Sequence, residues 1–280
     1  MRPLLADLKF AVRMLRKAPA FTAIAVLSLA LGIGPNTAIF SLVDSLLLQE
    51  WGVDDPEAIV EVYSTSRSGG FSFSNYRTFE LVEESTSDVF EAVAQHSIMT
   101  GRVGEGTESE VVLGEMVTGN YFDVMGVQAA TGRTFLPEED ATLETHPVVV
   151  LSDDYWRSRH GADPGLVGNE IRLNGRPYTV VGIAPAVFRG RITPGIGTDF
   201  WVPFSMYPHL IPGKMTQGDL TITGRLRDGI TPGQAIAAVE TVAAGYDQQL
   251  TAENRSAERR STSPQFRSRM YALVLPSTAW

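Results

Sequence analysis

Apolar and polar positions divide the chain into one long uncharged stretch followed by many short segments with strand or helix periodicity. No charged residue occurs from Ala18 to Val43, a run of 26 residues. At about 1.5 Å per residue, a helix of that length spans a hydrocarbon core of roughly 30 Å. We therefore predict a transmembrane helix over residues 18–48, although Pro35 and Asn36 interrupt the apolar run.

Residues 1–17 form a basic, amphipathic segment in which leucines recur at helical spacing. Such a segment can lie in the headgroup layer on anionic lipid, or it can serve only as the basic flank that sets topology; the two interpretations are compatible. Since positive flanks stay in the cytoplasm, we predict a cytoplasmic N-terminus and an extracytoplasmic remainder. The basic residues are Arg2, Lys9, Arg13, Arg16 and Lys17, opposed by Asp7.

A cleaved secretory signal peptide is the main alternative for the uncharged stretch. Its apolar part would be residues 24–31, and its best small-x-small cleavage site would be residues 32–34. That site would leave Pro35 directly after the cut, and the basic region before it is unusually long for a signal peptide. We therefore predict an uncleaved anchor.

Residues 49–255 alternate between strand and helix patterns, which predicts an α+β domain with two similar lobes of βαβ type. Predicted strands cover residues 59–63, 90–101, 109–117, 147–151 and 220–226, with a polar loop over residues 64–70. Predicted helices are residues 75–84 capped by Ser74, a short helix between Thr118 and Gly126, and residues 153–160 between Ser152 and Gly161. A last helix is predicted to start at the Thr231–Gln234 capping box, with Pro232 at its first position, and to run to about residue 250.

The clearest local signal is Asn174-Gly175 between residues 171–173 and 178–183. Asparagine and glycine tolerate positive φ at both turn positions, so this pattern predicts a β-hairpin. Residues 185–217, which are rich in proline, glycine and aromatic side chains, predict an extended excursion with short strands. Residues 256–280 read as a polar tail.

Composition limits the class of partner. The chain has 280 residues, a formal net charge of −9 and no cysteine. Because much of the positive charge lies at the N-terminus, the remainder is acidic and a nucleic-acid partner is not expected. A domain of about 200 residues has a core large enough to fold without disulfides.

Motifs that would carry catalysis are not found in the sequence. No G-x-x-x-x-G-K-[S/T] loop or G-x-S-x-G elbow occurs, and the lysines are limited to Lys9, Lys17 and Lys214. The histidines, His96, His146, His160 and His209, lack metal-ligand spacing. The glycine pairs at residues 104–106 and 195–197 are too weak to imply phosphate binding. We predict no catalytic, cofactor-binding or metal-binding residues.

Two polar clusters and one aromatic segment leave alternatives open. Residues 137–140 (Pro-Glu-Glu-Asp) could form an acid/base pair or a cation site, or a solvated turn or helix start. Asp153-Asp154 has the same alternatives. The aromatic side chains between residues 188 and 207 could line a ligand or partner surface, or pack in the core. We predict a solvated turn or helix start for both polar clusters and core packing for the aromatic side chains.

Four long segments, in order, resemble the MacB-like and FtsX-like ABC-transporter permeases, in the branch with duplicated permease halves. They cover most of residues 6–245. The segments are DLKFAVRMLRKAPAFTAIAVLSLALGIGPNTAIFSLVDSLLL, VTGNYFDVMGVQAATGRTFLPEED, VVVLSDDYWRSRHGADPGLVGNEIRLNGRPYTVVGIAP and GRLRDGITPGQAIAAVE.

The resemblance implies a first transmembrane helix, a large periplasmic core domain and three further membrane helices. It implies a separate ABC ATPase and membrane lipid as partners, with a periplasmic adaptor and a second permease chain as additional candidates. After residue 250, no uncharged run approaches the length of about 18 residues that a span requires. The sequence is therefore expected to be a truncated permease, a gene fragment or a one-helix relative.

We accordingly expect a non-catalytic permease subunit, or a fragment of one, in the inner (plasma) membrane. It would couple ATP-driven motion of a partner ATPase to the periplasm for export. The alternative is a single-helix, membrane-anchored periplasmic binding or scaffold protein without transport activity.

Overall fold

The computed structural model of the chain describes residues 13–14, 16–47, 52–62, 64–65, 71–72, 76–104, 106, 109–190, 197–210, 220–258 and 275–276. The chain divides into two units, Met1–Gln49 and Glu50–Trp280, which we call the N-terminal unit and the core domain.

The N-terminal unit contains one long helix, α1 (Pro19–Leu47), with Pro35 inside it. Its segment Pro19–Thr37 has a mean hydropathy of 1.5 and is long and apolar enough to cross a membrane. The Asn36 side chain donates a hydrogen bond of 3.0 Å to the Gly32 carbonyl. This bond satisfies an amide within an apolar stretch, next to the position where Pro35 has no N–H to donate. The predicted helix is confirmed.

Strands and helices of the core domain follow the order β1, β2, β3, α2, β4, β5, α3, β6, α4, β7, α5, β8, β9, β10, α6, β11, α7 and β12. The strands are β1 (Ile59–Val62), β2 (Ser64–Thr65), β3 (Phe71–Ser72), β4 (Phe90–Val103), β5 (Glu110–Val117), β6 (Thr131–Gly132), β7 (Val148–Leu151), β8 (Glu170–Leu173), β9 (Arg176–Ile183), β10 (Phe200–Pro203), β11 (Thr221–Leu226) and β12 (Leu275–Pro276). The helices are α2 (Tyr76–Ser85), α3 (Tyr121–Met125), α4 (Pro137–Asp140), α5 (Asp153–His160), α6 (Tyr207–Leu210) and α7 (Pro232–Glu258). A 3₁₀ turn at Phe204–Met206 leads into α6.

Ten of the described strands form one mixed sheet in the order β12-β1-β11-β4-β5-β10-β7-β9-β6, with β8 pairing with β9 and with the end of β4. Most neighbours are antiparallel, but β10 runs parallel to β5 and β9 runs parallel to β7. Strands from the two predicted lobes therefore join in a single sheet. The α+β class with an N-terminal helix is confirmed.

Strand β4 shows how the two faces of the sheet are used. Because side chains alternate along a strand, Val93 and Met99 point to one face and Ala94 to the opposite face. On the first face, α2 and α7 cover β1, β11 and the start of β4, and α5 covers β7, β9 and β10. On the opposite face, α3 packs with Phe188 and Trp201. The domain thus has helices on both sides of its sheet.

Several local predictions are confirmed. The Ser152 hydroxyl accepts a hydrogen bond from the Tyr155 N–H at 3.2 Å, and Gly161 ends α5 with φ 60°. Thr231 and Gln234 form the reciprocal capping bonds expected at the start of α7. That helix continues to Glu258 instead of ending near residue 250.

Other local predictions need correction. Thr118 does not cap α3, whose N-cap is Asn120; its hydroxyl accepts a hydrogen bond from the Gln95 N–H at 3.0 Å instead. β2 and β3 pair as a short ribbon where the sequence suggested only a polar loop. β6 was not foreseen. The predicted cap Ser74 lies outside the described residues.

We expect Gly175→Val to lower the free energy of unfolding by about 1–2 kcal/mol, because a β-branched residue resists the left-handed backbone region. Asn174 and Gly175 have φ of 50° and 81°, which confirms the predicted hairpin turn. A Cβ at Gly175 would meet no atom within 4 Å, so the expected loss is attributed to backbone strain. Gly233→Ala is the control, since Gly233 lies at the start of α7 without positive φ. Thermal denaturation should separate the two variants; equal melting temperatures would contradict the turn assignment.

Candidate functional site

A fully buried carboxylate, Glu115 on β5, joins several elements of the core domain. The Tyr121 hydroxyl of α3 donates a hydrogen bond to it at 3.2 Å, and the Thr198 hydroxyl donates a second, short one. His96 of β4 places its Nδ1 3.5 Å from the same carboxylate. Glu115 is 0% exposed, so these contacts provide the stabilisation that a buried charge requires.

Gly190 lies directly against this cluster. Its φ is 74°, and a Cβ at this position would clash with the Thr198 hydroxyl and the Glu115 carboxylate. The Thr198 N–H donates a hydrogen bond of 2.9 Å to the carbonyl of Arg189, the residue before Gly190. Sequence reasoning missed the cluster, and the signal that could have found it was Glu115, which lies among the apolar residues of segment 111–117.

A second polar connection centres on Asp140, at the end of α4. Its carboxylate accepts hydrogen bonds from the Ser205 N–H at 2.6 Å and the Gly119 N–H at 3.1 Å. Burial raises the pKa of Asp140, although these hydrogen bonds act in the opposite direction. The carboxylate therefore links α4 to the β5–α3 junction and to the 3₁₀ turn after β10.

Glu139 forms the third connection. Arg133 donates two hydrogen bonds to its carboxylate at 2.8 and 2.7 Å, and the Leu136 N–H donates another at 2.9 Å. Burial opposes the charged form of Glu139, but these bonds outweigh it and lower the pKa. Residues 137–140 therefore form a short helix, as one predicted alternative held, but Glu139 is buried and Asp140 is partly buried, and both are engaged in structural contacts.

We expect Glu139→Gln to lower the free energy of unfolding by about 1–2 kcal/mol at neutral pH, because the charge-assisted bonds to Arg133 are lost. The pKa of Glu139 is lower in the folded state than in the unfolded state, where it is near 4.5. The ionised carboxylate therefore stabilises the folded state at pH values above 4.5, and this stabilisation is lost as the pH falls through the folded-state pKa. The difference between wild type and variant should therefore shrink at acid pH. Glu138→Gln is the control, and denaturation curves at neutral and acid pH make the comparison. If the difference in free energy of unfolding between wild type and variant did not change with pH, the pairing of ionised Glu139 with Arg133 would be contradicted.

The remaining sequence candidates lie apart from one another. Asp153 is buried and pairs with Arg157 at 2.6 Å, whereas Asp154 is exposed and lies 3.6 Å from Arg189. Of the histidines, His146 contacts the Thr145 hydroxyl, His160 stacks edge-on against Tyr155, and His209 lies beside Tyr178. Within the described ranges, no group of three His, Cys, Asp or Glu side chains could hold a metal ion.

The aromatic side chains between residues 188 and 207 pack in the core, as predicted. The rings of Phe188 and Trp201 stack with centroids 5.4 Å apart, and Phe204 and Tyr207 stack at 6.1 Å. All of them are less than 9% exposed, which places them in the core. This aromatic packing therefore joins neighbouring elements of the core domain.

Comparisons with known proteins agree with this fold. The family model described as MacB-like periplasmic core domain matches residues 22–242. No curated protein matches the chain. Similar solved structures include the periplasmic region of MacB from Actinobacillus actinomycetemcomitans, with 15% identity, a TM-score of 0.53, and coverage of 76% of this chain and 96% of that one.

Two further structures show the same fold. The extracellular domain of the noncanonic ABC-type transporter YknZ from Gram-positive bacteria has 14% identity, a TM-score of 0.52, and coverage of 77% of this chain and 99% of its own. A domain of a putative permease from Porphyromonas gingivalis has 15% identity, a TM-score of 0.50, and coverage of 80% and 91%. These identities support the fold alone, whereas the family match spans most of the sequence. The chain therefore belongs to the family of proteins with a MacB-like periplasmic core domain.

Proposed function

We propose that this chain is a non-catalytic permease subunit of an ABC-type transporter, which couples the motion of a separate ATPase to an extracytoplasmic domain during export. The observation that carries the proposal is the family match over residues 22–242, which begins inside the apolar helix α1 and continues through the core domain. Family membership supports a role as a transporter component. The partner ATPase and the direction of transport belong to the proposal.

Contacts within the core domain support a role in mechanical coupling. Carboxylates at Glu115 and Asp140 connect elements that are distant in sequence, and one sheet runs through the domain. A domain held in this way moves as a unit when force is applied, because its packed interior deforms little. Coupling of this kind needs no catalytic residue in the chain itself.

The proposed topology places residues 1–17 in the cytoplasm, α1 across the plasma membrane and the core domain outside. The basic flank before α1 supports this orientation, because positively charged segments are retained on the cytoplasmic side. Lipid and an ABC ATPase are the proposed partners, and a periplasmic adaptor and a second permease chain are further candidates.

The test is purification of the full-length chain from its native membranes, together with a variant lacking residues 1–17. We expect the ATPase encoded nearest to the chain to co-purify with the wild type and to be depleted with the variant. The chain alone should neither bind nor hydrolyse ATP. ATP hydrolysis by the chain would overturn the non-catalytic assignment. Absence of any ATPase would refute coupling and favour the anchored binding or scaffold alternative.

A further inference from the structure

The first described residues of the core domain, 52–54, follow α1 closely in the sequence, and we call them the entry segment. Gly52 has φ 63°, and a Cβ at this position would lie 2.7 Å from the carbonyl carbon of Val187. The Asp54 N–H donates a hydrogen bond of 3.2 Å to the Met125 carbonyl at the end of α3. The entry segment is therefore packed against the domain and is not a free linker.

Arg225 of β11 bonds the entry segment to α3. Its Nε donates a hydrogen bond of 2.8 Å to the Val124 carbonyl, and its Nη2 donates one of 2.9 Å to the Asp54 carbonyl. Carbonyls in the last turn of a helix lack intrahelical partners, so the bond to Val124 satisfies one of them. The planar guanidinium presents its donors in a fixed fork, which lets one side chain hold both oxygens at once. β11, α3 and the entry segment therefore meet at a single residue.

α3 is the firm side of this contact. Its residues Tyr121, Phe122, Val124 and Met125 are at most 1% exposed. The ring of Phe122 also packs edge-on against Trp201, with the two centroids 5.6 Å apart. A close-packed interior deforms little, so α3 moves with the domain around it. A segment bonded to α3 is therefore tied to the packed interior.

Gly126 shows how closely the entry segment and α3 fit together. It ends α3 with φ 65°, and a Cβ at this position would lie 2.5 Å from the Asp54 Cβ and 3.0 Å from the Arg225 Nη2. A displacement of the entry segment toward α3 is therefore passed on by direct contact. A displacement away from α3 is resisted by the hydrogen bonds of Arg225.

The position of these bonds along the chain decides the order in which a load is met. The entry segment leads through the 3₁₀ turn Pro56–Ala58 into β1, which pairs with β11 from Ile59 opposite Arg225 onward. Because the bond to Asp54 precedes β1 in the sequence, a load that arrives along the chain from α1 reaches Arg225 before it reaches the β1–β11 pairing.

We propose that Arg225 is the positioning residue through which a displacement of α1 enters the core domain, because it holds the entry segment on α3. The inference rests on the proposed coupling function and adds the point at which the force enters. Arg225 is only partly buried, so its substitution is expected to free the entry segment while the core stays packed.

The first test follows hydrogen exchange of a peptide containing Asp54 by mass spectrometry, in the full-length chain in phosphatidylcholine nanodiscs. Arg225→Met should make the Asp54 amide exchange at least about tenfold faster, because the Arg225 bonds no longer oppose opening of the entry segment. Arg225→Lys keeps the charge without the planar fork, so its exchange rate should lie between those of wild type and Arg225→Met. Unchanged exchange in Arg225→Met would overturn the proposal.

Arg227→Met is the matched control for this measurement. It removes the same group two positions further along the chain, where the Arg227 Nε donates a hydrogen bond of 2.8 Å to the Ser87 carbonyl, away from the entry segment. We expect it to change exchange of the Asp54 amide by less than about twofold. Circular dichroism verifies that all variants fold. Equal acceleration in Arg225→Met and Arg227→Met would contradict a specific role for Arg225.

The second test separates the role of Arg225 from the coupling function on which it rests. The same variants are purified with the ATPase encoded nearest to the chain, and hydrogen exchange of residues 121–127 is compared with and without ATP. We expect ATP to change exchange in the wild type and in Arg227→Met. In Arg225→Met this change should be lost while ATP hydrolysis continues at the wild-type rate, a separation that general weakening of the domain would not produce.

The outcomes of the second test distinguish the two proposals. A full response to ATP in Arg225→Met would overturn the role of Arg225 and leave the coupling function intact. Absence of a response in the wild type would refute the coupling function itself, and with it the role of Arg225.

Discussion

Replacing Glu115 by alanine is expected to lower the free energy of unfolding by about 3 kcal/mol or more, the largest loss from any single substitution considered for the core domain. The substitution removes the acceptor for the Tyr121 and Thr198 hydroxyls and leaves a void at a position that is 0% exposed. It also leaves His96 without the carboxylate 3.5 Å from its ring. Chemical denaturation of the full-length chain in detergent, followed by near-ultraviolet circular dichroism, measures the loss.

Tyr121→Phe is the matched comparison for this prediction. It removes one hydroxyl from the same cluster, keeps the aromatic ring in place, and should cost about 1 kcal/mol. A larger loss for Tyr121→Phe than for Glu115→Ala would contradict the assignment of the Glu115 carboxylate as the centre of the cluster. A Glu115→Ala variant as stable as the wild type would remove the physical basis for treating the core domain as one stiff body.

Features that depend on neighbouring residues were predictable from the sequence. The cap from Ser152 to the Tyr155 N–H and the reciprocal bonds of Thr231 and Gln234 each join residues three positions apart. The Asn174-Gly175 turn depends on the backbone preferences of two residues. In these places, the side chains that determine the structure are only a few positions apart in the sequence.

Features that depend on distant partners were not predictable in the same way. Glu115 and Thr198 are 83 positions apart in the sequence, and Asp140 and Ser205 are 65 apart. Thr118 was expected to act locally as a cap, but its hydroxyl bonds the backbone of Gln95 because β4 and β5 pair beside it. A single sequence shows which charged and apolar residues are present, but it does not show which of them come together in the folded domain.

Exchanging the charges on the two sides of α1 is expected to invert the topology of the chain. The variant carries Arg13→Glu, Arg16→Glu and Lys17→Glu before the helix, with Asp54→Lys and Asp55→Lys after it. Because lysine and arginine near a span are retained in the cytoplasm, the C-terminal side should now stay inside. A reporter that is active only outside the cytoplasm, fused after Trp280, should lose nearly all of its activity, while a cytoplasmic reporter gains it.

A charge-conserving variant, Arg13→Lys with Arg16→Lys, distinguishes orientation from a simple failure to insert. It alters the same positions but keeps the positive flank, so reporter activity should match that of the wild type. N-terminal sequencing of the purified wild-type chain completes the test, since an uncleaved anchor retains residues 1–34 ahead of Pro35. A mature N-terminus at Pro35 would show that the stretch acts as a cleaved signal. An unchanged reporter in the exchanged variant would show that the flanking charge does not set the orientation on which the coupling proposal depends.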